Sequence, residues 1–243
     1  MGALIAAPSP NHNDRYAPPD VLVLHYTGMP SGQAALERLQ DPEAKVSAHY
    51  LVEEDGRIFA LVAEERRAWH AGVAYWRGER DINDRSIGVE IVNPGHEFGY
   101  RPFPPAQIAA VIGLLGEIRA RWAIPDNRIL GHSDVAPERK QDPGELFPWR
   151  TLAMAGHGLW TDEPGGAEDD SSPQRAQGEG LGATRRALAA IGYEPAIGGA
   201  ADAAMTAQVI AFQRHWSPHR VDGLVDRQTL ARLEAIAALS QRA

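Results

Sequence analysis

The 243-residue chain contains no cysteine. That absence excludes disulfides, thiolate metal sites and a cysteine nucleophile together. A bound metal would have to sit on His, Asp or Glu. Lysine is nearly absent as well: of the 24 basic residues only Lys45 and Lys140 are lysines, and the rest are arginines. An ammonium is a compact charge and a guanidinium a wide fork, so a lysine kept in such a chain invites a functional reading. No apolar run reaches the roughly 18 residues of a membrane span. Clustered positive charge is missing too. The net charge of −8 argues against binding the polyanionic backbone of nucleic acid. The start, MGALIAAP, has no basic region ahead of a short apolar stretch and does not read as a signal peptide. The expected compartment is the cytoplasm; a leader outside this sequence would instead imply a periplasmic or outer-membrane-associated protein. Oligomeric state has no signature in the sequence.

Residues 161–180 (TDEPGGAEDDSSPQRAQGEG) are acidic, rich in Gly, Pro and Ser, and free of aromatics. Such composition buries too little apolar surface to offset the entropy of ordering, which predicts a linker. It divides the chain into residues 1–160 and 181–243. The first part alternates strand and helix signals. Residues 21–24 (VLVL) read as a buried strand, 47–53 as a second, and Asp55-Gly56 as a turn into a returning strand at 58–62. In residues 86–92 (SIGVEIV), Ile87, Val89 and Ile91 share one face while Gly88 and Glu90 share the other. Residues 105–122 predict the longest helix, with Pro104-Pro105 at its start and Ile108, Val111, Ile112, Leu115 and Ile118 inward. A short strand at 128–131 precedes a polar loop running to Trp149. The expected class is α/β, a mixed β-sheet flanked by helices. Residues 181–243 predict a small all-α domain of three helices, the second capped by Asp202 and the third by Asp226, with a thin core of Met205, Val209, Phe212, Leu230, Leu233 and Ala237.

His25 and His132 each follow a predicted strand, so both can converge on one point. Asp142 lies ten residues after His132, on a loop stiffened by Pro143-Gly144. Two histidines and a carboxylate form a hydrolytic zinc set, because three protein ligands leave a fourth position for water. The bland alternative for each His is a bond to backbone at the edge of the core. Glu90, on the face opposite the apolar residues of its strand, needs solvent or a partner. A general base beside an activated water would supply a reason for it. Lys140, two residues before Asp142, is placed to stabilise an oxyanion, against the alternative of a solvated loop lysine. His49, Tyr50, Trp69, His70 and Trp76 are candidate cleft walls for sugar or peptide, although core packing is the commoner fate of a Trp. The remaining histidines carry no argument.

Six segments now form a pattern: LVLHYTG (22–28), VSAHYLVEEDG (46–56), AWHAG (68–72), SIGVEIVNPG (86–95), GHSDVAPERKQDPG (131–144) and LFPW (146–149). In this order they resemble the zinc-dependent N-acetylmuramoyl-L-alanine amidases of the AmpD and AmiD type. The resemblance covers most of the first domain. It implies one zinc ion on His25, His132 and Asp142, Glu90 as the general base, and Lys140 as the oxyanion support. In related phage lysozyme-like amidases a cysteine takes the third ligand position. Asp142 stands there in this chain, which places it on the AmpD side. The tail resembles a three-helix peptidoglycan-binding domain through Ile191-Gly-Tyr193, Ala211-Phe-Gln-Arg214, Val221-Asp-Gly-Leu224 and Thr229-Leu230, departing from it at residues 195–201. The implied activity is hydrolysis of the amide between N-acetylmuramic acid, or its 1,6-anhydro form, and L-alanine. The partner is then peptidoglycan or a muropeptide, in cell-wall turnover or recycling. Two alternatives are a zinc peptidase cutting within the stem peptide and a non-catalytic muropeptide receptor.

Overall fold

The computed structural model describes residues 3–162, 179–195 and 203–242. The linker expected at 161–180 falls almost wholly outside them, as do the Asp202 cap and nearly all of the 195–201 segment. The strands are β1 (Ile5–Ala6), β2 (His12–Asp14), β3 (Val21–Tyr26), β4 (Tyr50–Val52), β5 (Ile58–Ala60), β6 (Arg66–Ala68), β7 (Ser86–Ile91) and β8 (Ile129–Gly131). The helices of the first part are α1 (Gly32–Gln40), α2 (Ile82–Arg85), α3 (Gly95–Phe98), α4 (Pro105–Arg121), α5 (His132–Val135) and α6 (Trp149–Met154). Those of the tail are α7 (Glu179–Ile191), α8 (Ala203–Trp216) and α9 (Arg227–Ser240).

Six strands form one mixed sheet in the order β1-β5-β4-β7-β3-β8. Pairs β4/β7, β7/β3 and β3/β8 are parallel, while the β4/β5 hairpin is antiparallel. Strands β2 and β6 pair separately and antiparallel; neither pairing is announced by hydrophobic patterning, since HND and RRA carry almost no apolar signal.

Both faces of the central sheet are covered, which is why β3 reads as an unbroken apolar run. Leu22 and Leu24 of β3, with Ile87, Val89 and Ile91 of β7, pack under α4. Pro105 occupies the first turn of α4, where its missing N–H costs nothing. Ile108, Val111, Leu115 and Ile118 are buried as the spacing predicts. Ile112 is only half-buried, and Leu114, on the 107–111–114–118 row, takes the core position instead. Each such side chain contributes about 1.5–3 kcal/mol of transfer free energy.

The opposite face carries Val21 and Val23, and α7–α9 cover it. The tail's core is therefore not a thin separate one. Val209, Phe212, Leu233 and Ile236 are continuous with Val23, Leu130 and Val135. Trp76 lies here, 2% exposed and edge-on to Tyr193 at 5.1 Å, so it is a junction residue and not a cleft wall. Asp226 caps α9 by accepting from the Thr229 amide, as expected, while Leu230 is only half-buried. One polar cluster sits in the junction. The buried Asp134 carboxylate accepts from the Gly131 amide at 2.8 Å and from the Tyr193 hydroxyl at 2.8 Å, and lies 2.7 Å from His215 Nδ1. His215 stacks between Trp149 and Trp216, each 3.6 Å away. Among the described residues no helix is long and apolar enough to cross a membrane.

Candidate metal centre and active site

Alternation along β3 decides where His25 points. Val21, Val23 and His25 share the face opposite α4, and His25 is the residue at which that face leaves the shared core. The same alternation on β7 sends Gly88 and Glu90 to that face. In the parallel register His25 is the direct partner of Glu90. His132 opens α5, immediately after β8, and β8 pairs with β3 on its other side. The third residue comes from a loop that is pinned twice. The Asp142 carbonyl accepts from the Ser133 amide at 2.9 Å, and the Tyr100 hydroxyl donates to the Pro143 carbonyl at 2.7 Å. Gly144 has φ of +83°, and a Cβ there would lie 2.3 Å from the Tyr100 hydroxyl, so this turn requires glycine.

These supports bring His25, His132 and Asp142 together, all buried. Their facing atoms form a near-equilateral triangle: His25 Nδ1 to His132 Nδ1 is 2.9 Å, and each lies 3.0 Å from Asp142 Oδ2. Ligand atoms of a tetrahedral site with bonds of about 2.0–2.1 Å stand roughly 3.3 Å apart, close to this spacing. The donor chemistry fits a cation as well. His132 Nε2 faces the Ala71 carbonyl at 3.0 Å, an acceptor only, so the ring proton sits there and Nδ1 turns a lone pair toward Asp142. Two such acceptors at that distance repel unless a positive charge lies between them. The described residues therefore contain a site able to hold a metal ion.

Electrostatics agree with that use. Burial, then the neighbouring His132, pushes His25 down to about 4, so it is neutral at pH 7. Burial alone would raise Asp142, but the two histidines outweigh it and hold the carboxyl well below its usual range. Burial, then the Asp142 charge, pushes Glu90 well above the ordinary glutamate value, and Lys140 pulls it partly back. One Glu90 oxygen, Oε2, is sealed from solvent with no hydrogen-bond partner in the protein. A carboxylate left bare beside this candidate metal site has an oxygen free to take a proton.

The trio opens into a cleft of about 390 Å³ that Glu90, Lys140, Trp69 and His70 also line. Trp69 is fixed there by its indole N–H donating to Asn13 Oδ1 at 2.6 Å. His70 Nδ1 lies 3.0 Å from His25 Nε2, which ties it to the metal site more closely than a substrate wall would be. His49 and Tyr50 are corrected: neither reaches the cleft. His49 Nδ1 accepts from the Gly88 amide at 2.9 Å, and burial holds this His at about 3. Tyr50, on the α4 side of the sheet, donates to Glu64 at 2.7 Å. The strand alternation that turns Leu51 toward Glu90 turns Tyr50 away. Sequence reasoning passed over His96. It reaches the cleft rim, stacks on Tyr100 at 4.3 Å and sits 3.2 Å from Glu145. It also passed over Asn83 and Ser86, buried beneath His70. No periodicity marks His96 or Asn83; Ser86 falls on the Gly88 and Glu90 face of its strand, but that pattern does not say what it bonds.

Residues 15–145, more than half of the chain, match the family profile described as N-acetylmuramoyl-L-alanine amidase. Residues 177–233 match one described as a peptidoglycan binding domain. The chain is 36% identical over 239 residues to N-acetylmuramoyl-L-alanine amidase AmiD of Escherichia coli, covering 89% of this chain and 81% of that protein. A structure of E. coli AmiD with the substrate anhydro-N-acetylmuramic acid-L-Ala-D-gamma-Glu-L-Lys superposes with a TM-score of 0.78 at 35% identity, covering 92% of this chain and 90% of that one. Pseudomonas aeruginosa AmpDh3, in complex with anhydromuramic pentapeptide, gives a TM-score of 0.76 at 35% identity over 90% of this chain and 91% of its own. With its sheet, its His-His-Asp cluster and these likenesses, the chain belongs to the N-acetylmuramoyl-L-alanine amidase family.

Proposed function

We propose that the cleft hydrolyses the amide between the lactyl group of N-acetylmuramic acid, or its 1,6-anhydro form, and the L-alanine of the stem peptide, and that it uses one zinc ion. The observation that carries this reading is the triangle of His25, His132 and Asp142 with Glu90 beside it in register. The ligands bound to AmiD and AmpDh3 in their structures support the substrate class. Residues 1–160 would carry the chemistry, and residues 181–243, joined by the 161–180 linker, would bind the wall.

Held by His25, His132 and Asp142, zinc would act as a Lewis acid toward the scissile carbonyl and make water a better nucleophile at neutral pH. The chain's own residues supply the proton traffic. Glu90 takes a proton from the attacking water as the new C–O bond forms. It then gives that proton to the departing alanine nitrogen as the C–N bond breaks. Lys140 places its ammonium at the oxygen that becomes negative between these events. The products are a free lactyl carboxylate and an intact stem peptide with a free α-amine. For the compartment, the reading is the cytoplasm, where small anhydro-muropeptides would be met.

Mass spectrometry of products from an anhydro-muropeptide and from polymeric peptidoglycan, with and without chelator, tests the reading. It requires an intact stem peptide beginning with a free L-alanine amine, lost on chelation and restored by zinc. Cleavage inside the stem peptide would replace the amidase by a peptidase.

A further inference from the structure

The dipeptide His70–Ala71 touches both histidines of the triangle. Its side chain meets one: His70 Nδ1 is 3.0 Å from His25 Nε2. Its backbone meets the other: the Ala71 carbonyl is 3.0 Å from His132 Nε2. The dipeptide is itself held from α2. Asn83 Oδ1 accepts both of its amides, at 3.0 Å from His70 and 2.8 Å from Ala71. Room for the His70 ring is left by Gly88, where a Cβ would lie 2.5 Å from it.

The direction of every proton in this chain of contacts can be worked out. The Ser86 hydroxyl donates its one hydrogen to the Ile82 carbonyl, four residues earlier. Toward His70 Nε2, 3.2 Å away, Ser86 can then only accept. The His70 proton is therefore on Nε2, and a neutral imidazole has no second one. Its Nδ1 is a lone pair and must be met by a proton from His25 Nε2. That leaves the lone pair of His25 on Nδ1, the atom of the triangle. For His132 the Ala71 carbonyl does the same in one step.

We propose that His70–Ala71 is the positioning element that sets the tautomer of both histidine ligands, and that Ser86 sets its sense. The proposal rests on His25, His132 and Asp142 being metal ligands. It places His70 behind the metal and gives it no contact with the reacting atoms. Outer partners of metal-bound histidines commonly govern affinity by about 10–100-fold.

Zinc affinity is measured by competition with a chromophoric chelator on variants whose melting temperature shows them folded. His70→Leu should bind zinc about 10–100-fold more weakly. His70→Asn, whose Oδ1 can stand where Nδ1 stood and accept from His25, should recover most of that loss. A packing role would leave both variants alike, and equal affinity in wild type and His70→Leu would overturn the proposal. Long-range ¹H–¹⁵N correlation spectra of the wild-type protein give a second reading that needs no variant to fold. Protons on Nε2 of His25, His70 and His132 are required; a proton on Nδ1 of His25 overturns the relay. Failure of the ligand assignment itself would look different: wild type would bind no zinc at this site, and the same spectra would still decide the tautomers.

Discussion

His25 and Glu90 are register partners on adjacent parallel strands, β3 and β7, with their side chains on the same face of the sheet. Pairing fixes a metal-ligand candidate and a base candidate as neighbours without help from any loop. Their alternation partners, Val23 and Gly88, are also paired. The first is core and the second is space for His70. The same two strands therefore build the core and set the base candidate beside a cluster able to hold a metal.

Lys140 lines the cleft with two other basic residues, Arg38 and Arg139, and is the one proposed to meet the developing oxyanion. Lys140→Ala should lower kcat by about 10²–10³, the usual cost of losing one such donor, with KM little changed. A steady-state comparison on one muropeptide checks it. A change confined to KM would make Lys140 a substrate-binding residue.

Space behind the metal site is equally specific. Gly88→Ala puts a methyl group 2.5 Å from the His70 ring, so the ring has to shift from its place 3.0 Å from His25 Nε2. Zinc affinity should fall while the protein stays folded, because the strand backbone itself is unstrained at this position. Chelator competition, paired with a melting curve, separates the two effects. Unchanged zinc affinity would show that the ring moves freely.

The metal-free protein should have an asymmetric stability profile with pH. Glu90 is raised above its ordinary 4.5, so the folded state keeps a proton that the unfolded state releases, and stability falls as pH climbs through that window. His25 works the other way. Lowered from 6.5 to about 4, it lets the unfolded state bind more protons between those values, so stability rises with pH there. Glu90→Gln removes only the first effect. The metal-free variant should be more stable than wild type at pH 8 and differ little at pH 4. Urea midpoints at the two pH values check this, and an equal difference at both would contradict it.

Tyr193 ties the tail to α5, the helix that His132 opens, through Asp134, 2.8 Å away. Tyr193→Phe leaves a buried carboxylate oxygen without that donor and should cost about 1–3 kcal/mol. Because the core runs unbroken from Val23 to Phe212, unfolding should stay a single transition in wild type and variant. Two separate transitions would show that the tail folds independently.

Much of this was legible in the sequence because it rests on periodicity. Ile87, Val89 and Ile91 against Gly88 and Glu90 is a period-two pattern, and it placed Glu90 on the working face. His25 and His132 were found as residues following strands. What escaped had no such signature. Strands β2 and β6 are short, polar and paired through backbone, so hydrophobicity does not mark them. Tyr50 was misplaced because alternation turns it to the α4 face, and His49, on the Glu90 face, because its Nδ1 is taken by the Gly88 amide, a bond no local pattern announces. Asn83 and Ser86 meet His70–Ala71 through hydrogen bonds across at least twelve residues, to atoms that no local pattern names. The thin tail core was an error of accounting by segment: its partner surface, Val21, Val23 and Leu130, lies more than fifty residues away in sequence.

The most direct test of the account is Glu90→Gln, which keeps the shape of the side chain and removes its capacity to take a proton. Zinc content and turnover are measured on the same preparation, with release of the L-alanine amine from an anhydro-muropeptide as the assay. The account predicts one zinc per chain, as in wild type, with nearly all turnover lost. A Glu90→Gln protein that binds zinc and turns over at the wild-type rate would contradict it.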